Sequence, residues 1–550
     1  MQWQRRREPA PPRGFVLHRA LLGSCAGNLH SALRERSRPS LLVPDEPKLS
    51  RNAGRRDMSV LSSSRIAAAP ILHAGRNCWR VAEAERASVL IDAADYFARL
   101  EESLALARRS ITIIGWDFDG RISLRPDRGA DAQQLGDLLR SLVEATPELE
   151  VHILVWSIAV LHAPGSPAEL LIGAEWQDHP RIHVKLDTQH PLYAAHHQKI
   201  VAIDGRVAFV GGIDLTVSRW DTPDHDPENA LRRDPDGKPY SPVHDVQMAV
   251  DGEAARAIAE VARARWRFAT GGDLPSHDAE HEAWPPSLAA GFNHCCVGIA
   301  RTAPGWGDAP AYAEGAVLTA DALKAAKHCI YVEAQYLTAD FLGDILEEQL
   351  QRPVGPELVF VLTRESHGFA ERWVMGHNRD HLLRRLRRAD RYGRLRVYYP
   401  VVAGPSGACE VLVHAKVAII DNQLLRVGSS NLNNRSIALD TECDLAIEAR
   451  SQGTREKIAE IRDTLLGEHL GVSAATVREA VAQEDSLVRA IDRLNTGPRR
   501  LEAFTVDEER APARQVLGTG LFDPKRPFRV MRPVMRLLSA FRAPAIRRGA

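Results

Sequence analysis

Two stretches of this 550-residue chain share one spelling, His-x-Lys-x4-Asp-x6-Gly: His197, Lys199, Asp204 and Gly211, then His414, Lys416, Asp421 and Gly428. Four fixed residue types at about one in twenty each match by chance roughly once per 160,000 starting positions, so two copies in one chain are no accident. On an extended strand residues i and i+2 share a face, which aims each imidazole and its lysine at one ligand. That pair suits an anionic phosphate: the lysine neutralises non-bridging oxygens while the histidine attacks phosphorus or moves a proton. Gly428-Ser429-Ser430-Asn431 adds small donors close by; in the first copy Gly211-Gly212 allows close backbone approach, and Asp214 stands where Asn431 does.

A phosphate can meet both histidines only if the elements that carry them converge. Each motif reads as a β-hairpin, 199–203 with 207–210 and 416–420 with 424–427, turning at Asp204-Gly205 and Asp421-Asn422. Upstream of the first hairpin the apolar periodicity predicts helices over 89–108 and 135–145 and strands over 111–114, 151–156 and 182–186. Upstream of the second it predicts helices over 320–327, 341–350 and 372–388 and strands over 330–333, 358–362 and 395–399. A strand and a helix follow each hairpin, at 246–250 and 253–268 and at 445–448 and 454–466. The expected fold is a duplicated α/β one: two repeats, each a central mixed sheet flanked by helices, related by a pseudo-twofold axis that sets His197 against His414. The boundaries read as a basic, Pro/Arg-rich, disordered segment at 1–57, or a start at Met58, then repeats at 58–287 and 288–475. A C-terminal extension at 476–550 follows, and 273–287 is the linker between repeats.

The paired motifs resemble those of the phospholipase D superfamily. The first copy, His196-His197-Gln198-Lys199 through Gly211-Gly212-Ile213-Asp214-Leu215, is similar to eukaryotic-type members. Gly115-Trp116-Asp117, Asp221-Thr222-Pro223, His244-Asp245, Tyr331 through Tyr336, Asn434-Arg435-Ser436 and Asp440-Thr441-Glu442 match further. The resemblance implies a covalent route on a glycerophospholipid at a membrane surface, with hydrolysis or headgroup exchange as outcome. His197 attacks phosphorus and His414 protonates the departing alcohol, then activates water or another alcohol. Lys199, Lys416, Ser429 and Asn431 hold the phosphate. Glu442 orients His414, Asp245 orients His197, and no metal or cofactor is required. Asp204 and Asp421 belong to the signature and so to the expected catalytic set, although an Asp in a hairpin turn also serves the turn itself.

Lys plus Arg equals Asp plus Glu at 71 each, so global charge gives no reason to expect nucleic acid, and a nuclease is the weaker alternative. A cardiolipin synthase-like enzyme is another, disfavoured because no spanning helices precede the first repeat; a silent membrane-binding relative is opposed by two intact motifs. The seven cysteines show no metal-type spacing and read as free thiols of a reducing compartment, which points to the cytoplasm with peripheral attachment to a membrane. Eight basic and no acidic residues between 525 and 550, interleaved with apolar ones, suggest a tail that docks on anionic lipid.

Overall fold

The computed structural model describes residues 70–524, apart from 157–172, 192–193, 278–280, 308, 365–368, 406, 507–514 and 517–518. The expected disordered segment at 1–57 and the basic tail at 525–550 lie outside the described residues.

Fourteen strands hydrogen-bond in one run. In the first half the order is Ile182–Asp187, Glu150–Trp156, Ser110–Gly115, Ile200–Ile203, Val207–Gly211, Val246–Asp251 and Arg80–Ile91. Arg80–Ile91 then pairs antiparallel with Phe292–Ala303, Arg80 opposite Ile299 and Ala87 opposite Phe292. Beyond that seam the order repeats in mirror sequence: Glu442–Glu448, Leu424–Gly428, Lys416–Ile420, Cys329–Ala334, Glu357–Leu362 and Leu395–Gly404. Each half is therefore a mixed sheet, with three parallel strands outside and antiparallel ones toward the seam. This is the expected duplicated α/β fold, with one addition: a single sheet crosses both halves.

The two seam strands are not predicted by the sequence pattern. Val89, Leu90 and Ile91 continue the apolar period of the following helix, yet they pair with Met248, Gln247 and Val246, and the helix begins only at Asp92 (Asp92–Ala105). Helices Gly252–Thr270 and Gln452–Leu470 cover the seam through Ala254, Ile258, Val261 and Trp266 and through Ile458, Leu465 and Leu466. Their ends are chemically defined. Ser451 caps the second by accepting from Thr454 N–H, and Gly271 and Gly471 close them with φ of 77° and 67°, a left-handed conformation that glycine adopts without strain. Two further apolar cores fill the outer faces of the halves. Among the described residues no helix is long and apolar enough to cross a membrane, and the six described cysteines are unpaired.

Candidate active site

Both histidines sit just ahead of their hairpin strands, in extended segments that leave their own half. His197 N–H donates to the Thr441 carbonyl at 3.0 Å, and His414 N–H donates to the His244 carbonyl at 2.8 Å. The next side chain on each receiving strand is a carboxylate. His197 Nδ1 lies 2.9 Å from Glu442 Oε2, and His414 Nδ1 lies 2.7 Å from Asp245 Oδ2. The strand registers make these two carboxylates equivalent, since Gly211 faces Gln247 and Gly428 faces Asp444. The expected assignment is thus reversed: Glu442 orients His197, and Asp245 orients His414. Each histidine crosses to the other half's strand, so its nearest carboxylate is that half's and not its own. His196 is buried on the opposite side and is held by Asp187 at 2.9 Å.

The lysines are almost fully buried, and each donates to the carbonyl of its own motif histidine. Their other surroundings differ. Lys199 Nζ is 2.9 Å from Asp214 Oδ2, whereas the equivalent of Asp214 in the second half is Asn431, a neutral amide whose Oδ1 is buried and unpartnered. With no such carboxylate against it, burial pushes Lys416 down to about 7; Asp245 opposes this and Lys199 reinforces it.

Burial pushes His197 well below the ordinary imidazole range, and Lys199 and Lys416 act in the same direction. His414 is pushed down by burial, then by Lys416, Arg219 and Lys199. Each imidazole thus feels the lysines of both halves, which is the electrostatic sign of one shared pocket. Asp245 does not hold His414 as an imidazolium in the free protein, because burial and three cations outweigh it, and Asp245 is itself raised by burial. Glu442 is raised to about 8 by burial, against hydrogen bonds from Ser429 and Ser436.

Three of the expected roles change with the geometry. Asp204 lies at the far end of its strand from His197, with φ of 53°, and accepts backbone N–H groups from Arg108, Arg109 and Ser110 at 2.5–2.8 Å. Asp421, with φ of 54°, accepts from Lys327, His328 and Cys329 at 2.7–2.8 Å. Both pin a hairpin turn to the start of the neighbouring strand, a structural role, and neither reaches the pocket. Ser429, expected on the phosphate, is fully buried and donates its hydroxyl to Glu442 Oε2 at 2.5 Å while accepting from Cys443 N–H at 3.0 Å. It positions the carboxylate. Its counterpart Gly212 lies where any Cβ would collide with Asp245 Oδ1, so the shorter carboxylate approaches bare backbone where the longer one meets a hydroxyl.

Two profile matches divide along the same lines as this geometry. Residues 103–283 match the family model described as Phospholipase D, and residues 319–464 match the model described as Cardiolipin synthase, PLD-like domain. The chain belongs to the phospholipase D superfamily. It is 25% identical to phospholipase D1 of Saccharomyces cerevisiae over 70% of its own length and 28% of that protein. It is 22% identical to phospholipase D1 of Schizosaccharomyces pombe over 77% of its length and 38% of that protein. With phospholipase D alpha 1 of Carica papaya it shares 24% identity over 69% of its length and 64% of that protein. The chain therefore spans about a third of the two yeast proteins.

Within this phospholipase D-like site, motif reading alone misses a clamp and a cation. Asp440 Oδ1 accepts from Ala195 N–H at 2.7 Å while Arg435 grips both oxygens of Asp440 at 2.8 Å, which fixes the segment that carries His197. Asp440 opens the matching run Asp440-Thr441-Glu442, but the motif spelling alone gives it no role. Arg219, whose buried Nε is unpartnered, acts on His414 and Lys416 from the first half only. Position 219 has no basic counterpart in the second repeat, so the doubled spelling gives no signal for it. Trp116 stacks on Trp156 at 5.9 Å, and Trp116 N–H donates to Asp214 Oδ1 at 2.9 Å.

Proposed function

We propose that this chain is a phosphodiesterase that cleaves the headgroup phosphodiester of a glycerophospholipid through a phosphohistidine. The observation that carries the reading is the pair of histidine–carboxylate contacts exchanged between halves, with both lysines acting on the same pocket. In the first step His197 Nε2 attacks phosphorus while Lys199, Lys416 and Asn431 hold the non-bridging oxygens. His414 gives its proton to the departing alcohol. An anionic phosphate between the lysines offsets the repulsion that keeps the free imidazole unprotonated, so substrate binding itself raises the proton affinity that the step needs. In the second step His414 takes a proton from water or an alcohol, which attacks phosphorus and frees His197.

The description of the second-half family model favours one further reading, in which the attacking alcohol belongs to a second lipid and the product is a larger phospholipid. Purified protein offered phosphatidylcholine, phosphatidylethanolamine, phosphatidylglycerol and single-stranded DNA, each with and without ethanol, separates these cases. Phosphatidic acid, replaced by phosphatidylethanol when ethanol is present, supports the proposal; cardiolipin from phosphatidylglycerol supports the second reading. Turnover of DNA alone would overturn both.

A further inference from the structure

Around His244, whose carbonyl accepts from His414 N–H, four side chains converge in the protein interior: Asp92, His225 and His244 from the first half and Glu468 from the second, all buried. Glu468 Oε1 is 2.7 Å from His244 Nδ1 and 3.1 Å from His225 Nε2. Asp92 Oδ1 is 3.1 Å from His244 Nδ1, and Asp92 Oδ2 is 3.8 Å from His225 Nε2. Ligands at 2.0–2.1 Å in a tetrahedron are about 3.3 Å apart, the middle of this range. Two of these atoms are left without hydrogen bonds. Asp92 Oδ2 and His244 Nδ1 are buried and unpartnered, so the ring nitrogen aims at neither neighbouring oxygen in line although both are close.

The far sides of both imidazoles are already taken by carboxylates. His225 Nδ1 contacts Asp221 at 3.0 Å and His244 Nε2 contacts Glu333 at 2.8 Å, and Glu333 is held in turn by Tyr331 and His469. A carboxylate behind each histidine is the arrangement that fixes the tautomer of a metal ligand. Charge points the same way. Asp92, Glu468, Asp221 and Glu333 place four carboxylates in this interior against one guanidinium, that of Arg232, which binds Asp221 at 2.9 Å. Buried charge of one sign needs a counter-charge in place.

We propose that Asp92, His225, His244 and Glu468 bind one divalent transition-metal ion of the zinc class. Two imidazole nitrogens and two carboxylate oxygens satisfy four-coordination, and the ion, closed off from solvent, fastens the two halves together. The strand it pins carries Asp245, the residue after His244, so the ion lies one residue from the partner of His414 and takes no part in the chemistry.

Metal content by mass spectrometry of the full chain, purified without chelator or added metal, tests this. One equivalent per chain is expected, falling at least fivefold in Asp92→Asn and Glu468→Gln. X-ray absorption of the zinc-loaded wild type reads the site itself and does not depend on a variant folding: four nitrogen and oxygen neighbours at about 2.0–2.1 Å, two of them imidazoles, are expected. Strong chelator should lower the melting temperature, and zinc alone should restore it. A metal-free protein that does not bind zinc at micromolar concentration, a sulfur-containing shell, or full occupancy in both variants would overturn the proposal and leave a protonated histidine–carboxylate network in its place.

Discussion

At the residue scale, the exchange of Asp214 for Asn431 separates two lysines that the motif writes alike. Lys416 is charged below about 7 and loses its proton above it, so phosphate binding in the free enzyme weakens as pH rises through that value. The His197–Glu442 pair works in the opposite sense. Attack needs a bare Nε2 with Nδ1–H donated to the carboxylate, and with Glu442 raised to about 8 the pair sheds its extra proton only as pH rises through about 8. With a nitrophenyl phosphodiester, whose leaving group needs no proton from His414, a narrow bell in kcat/KM with its maximum between about 7 and 8 is therefore expected. Asn431→Asp gives Lys416 a carboxylate, raises its proton affinity and should move only the descending limb, to higher pH; an unmoved descending limb in the pH profile would contradict the assignment. Asp204 gives the contrasting case. Asp204→Ala removes the carboxylate that accepts from three backbone N–H groups, at a position with positive φ, and should lower unfolding free energy in urea by about 1–3 kcal/mol while leaving the kcat of the folded enzyme in place. Asp204→Asn, which tolerates the conformation and keeps one acceptor, should lose less.

At the element scale, the hairpins were legible and the crossing between them was not. His197, Lys199, His414 and Lys416 stand out because the same residues recur at the same spacing, and Asp204-Gly205 and Asp421-Asn422 are turns whose positive φ values the sequence announces. Which carboxylate serves which histidine depends instead on the segments around 197 and 414 pairing with the other half's strand, a long-range contact that no local pattern encodes. The seam strands were hidden for a related reason: Arg80–Ile91 mixes buried and exposed residues without strict alternation, and its last three residues mimic the helix that follows. The crossing makes a distinct prediction. Glu442→Gln should behave like a His197 variant and slow formation of the covalent intermediate by about 10²-fold or more, whereas Asp245→Asn should behave like a His414 variant. Rapid-quench kinetics with a nitrophenyl phosphodiester, whose leaving group needs no proton, reads the difference directly. If Asp245→Asn instead blocked labelling, with Glu442→Gln only slowing release, the carboxylates would serve their own halves.

At the scale of the whole molecule, fourteen strands in one run join two copies of the same order of elements, and in the proposed reaction each copy supplies half of what a phosphate needs. The first half brings His197, Lys199 and Asp245; the second brings His414, Lys416, Asn431 and Glu442. The sheet holds the halves in register at the seam, the central core and its two covering helices bury that seam, and the exchanged contacts place the imidazoles at one pocket with unequal surroundings. Two histidines of the same spelling are then expected to do different work. The most direct measurement is peptide mapping of the acid-labile, base-stable phosphoryl label trapped from a phosphorus-labelled nitrophenyl phosphodiester. The His414→Ala protein should form the intermediate and stall with label on His197, and the His197→Ala protein should carry none. Label on His414, or no label on either histidine in the His414→Ala protein, would contradict the account.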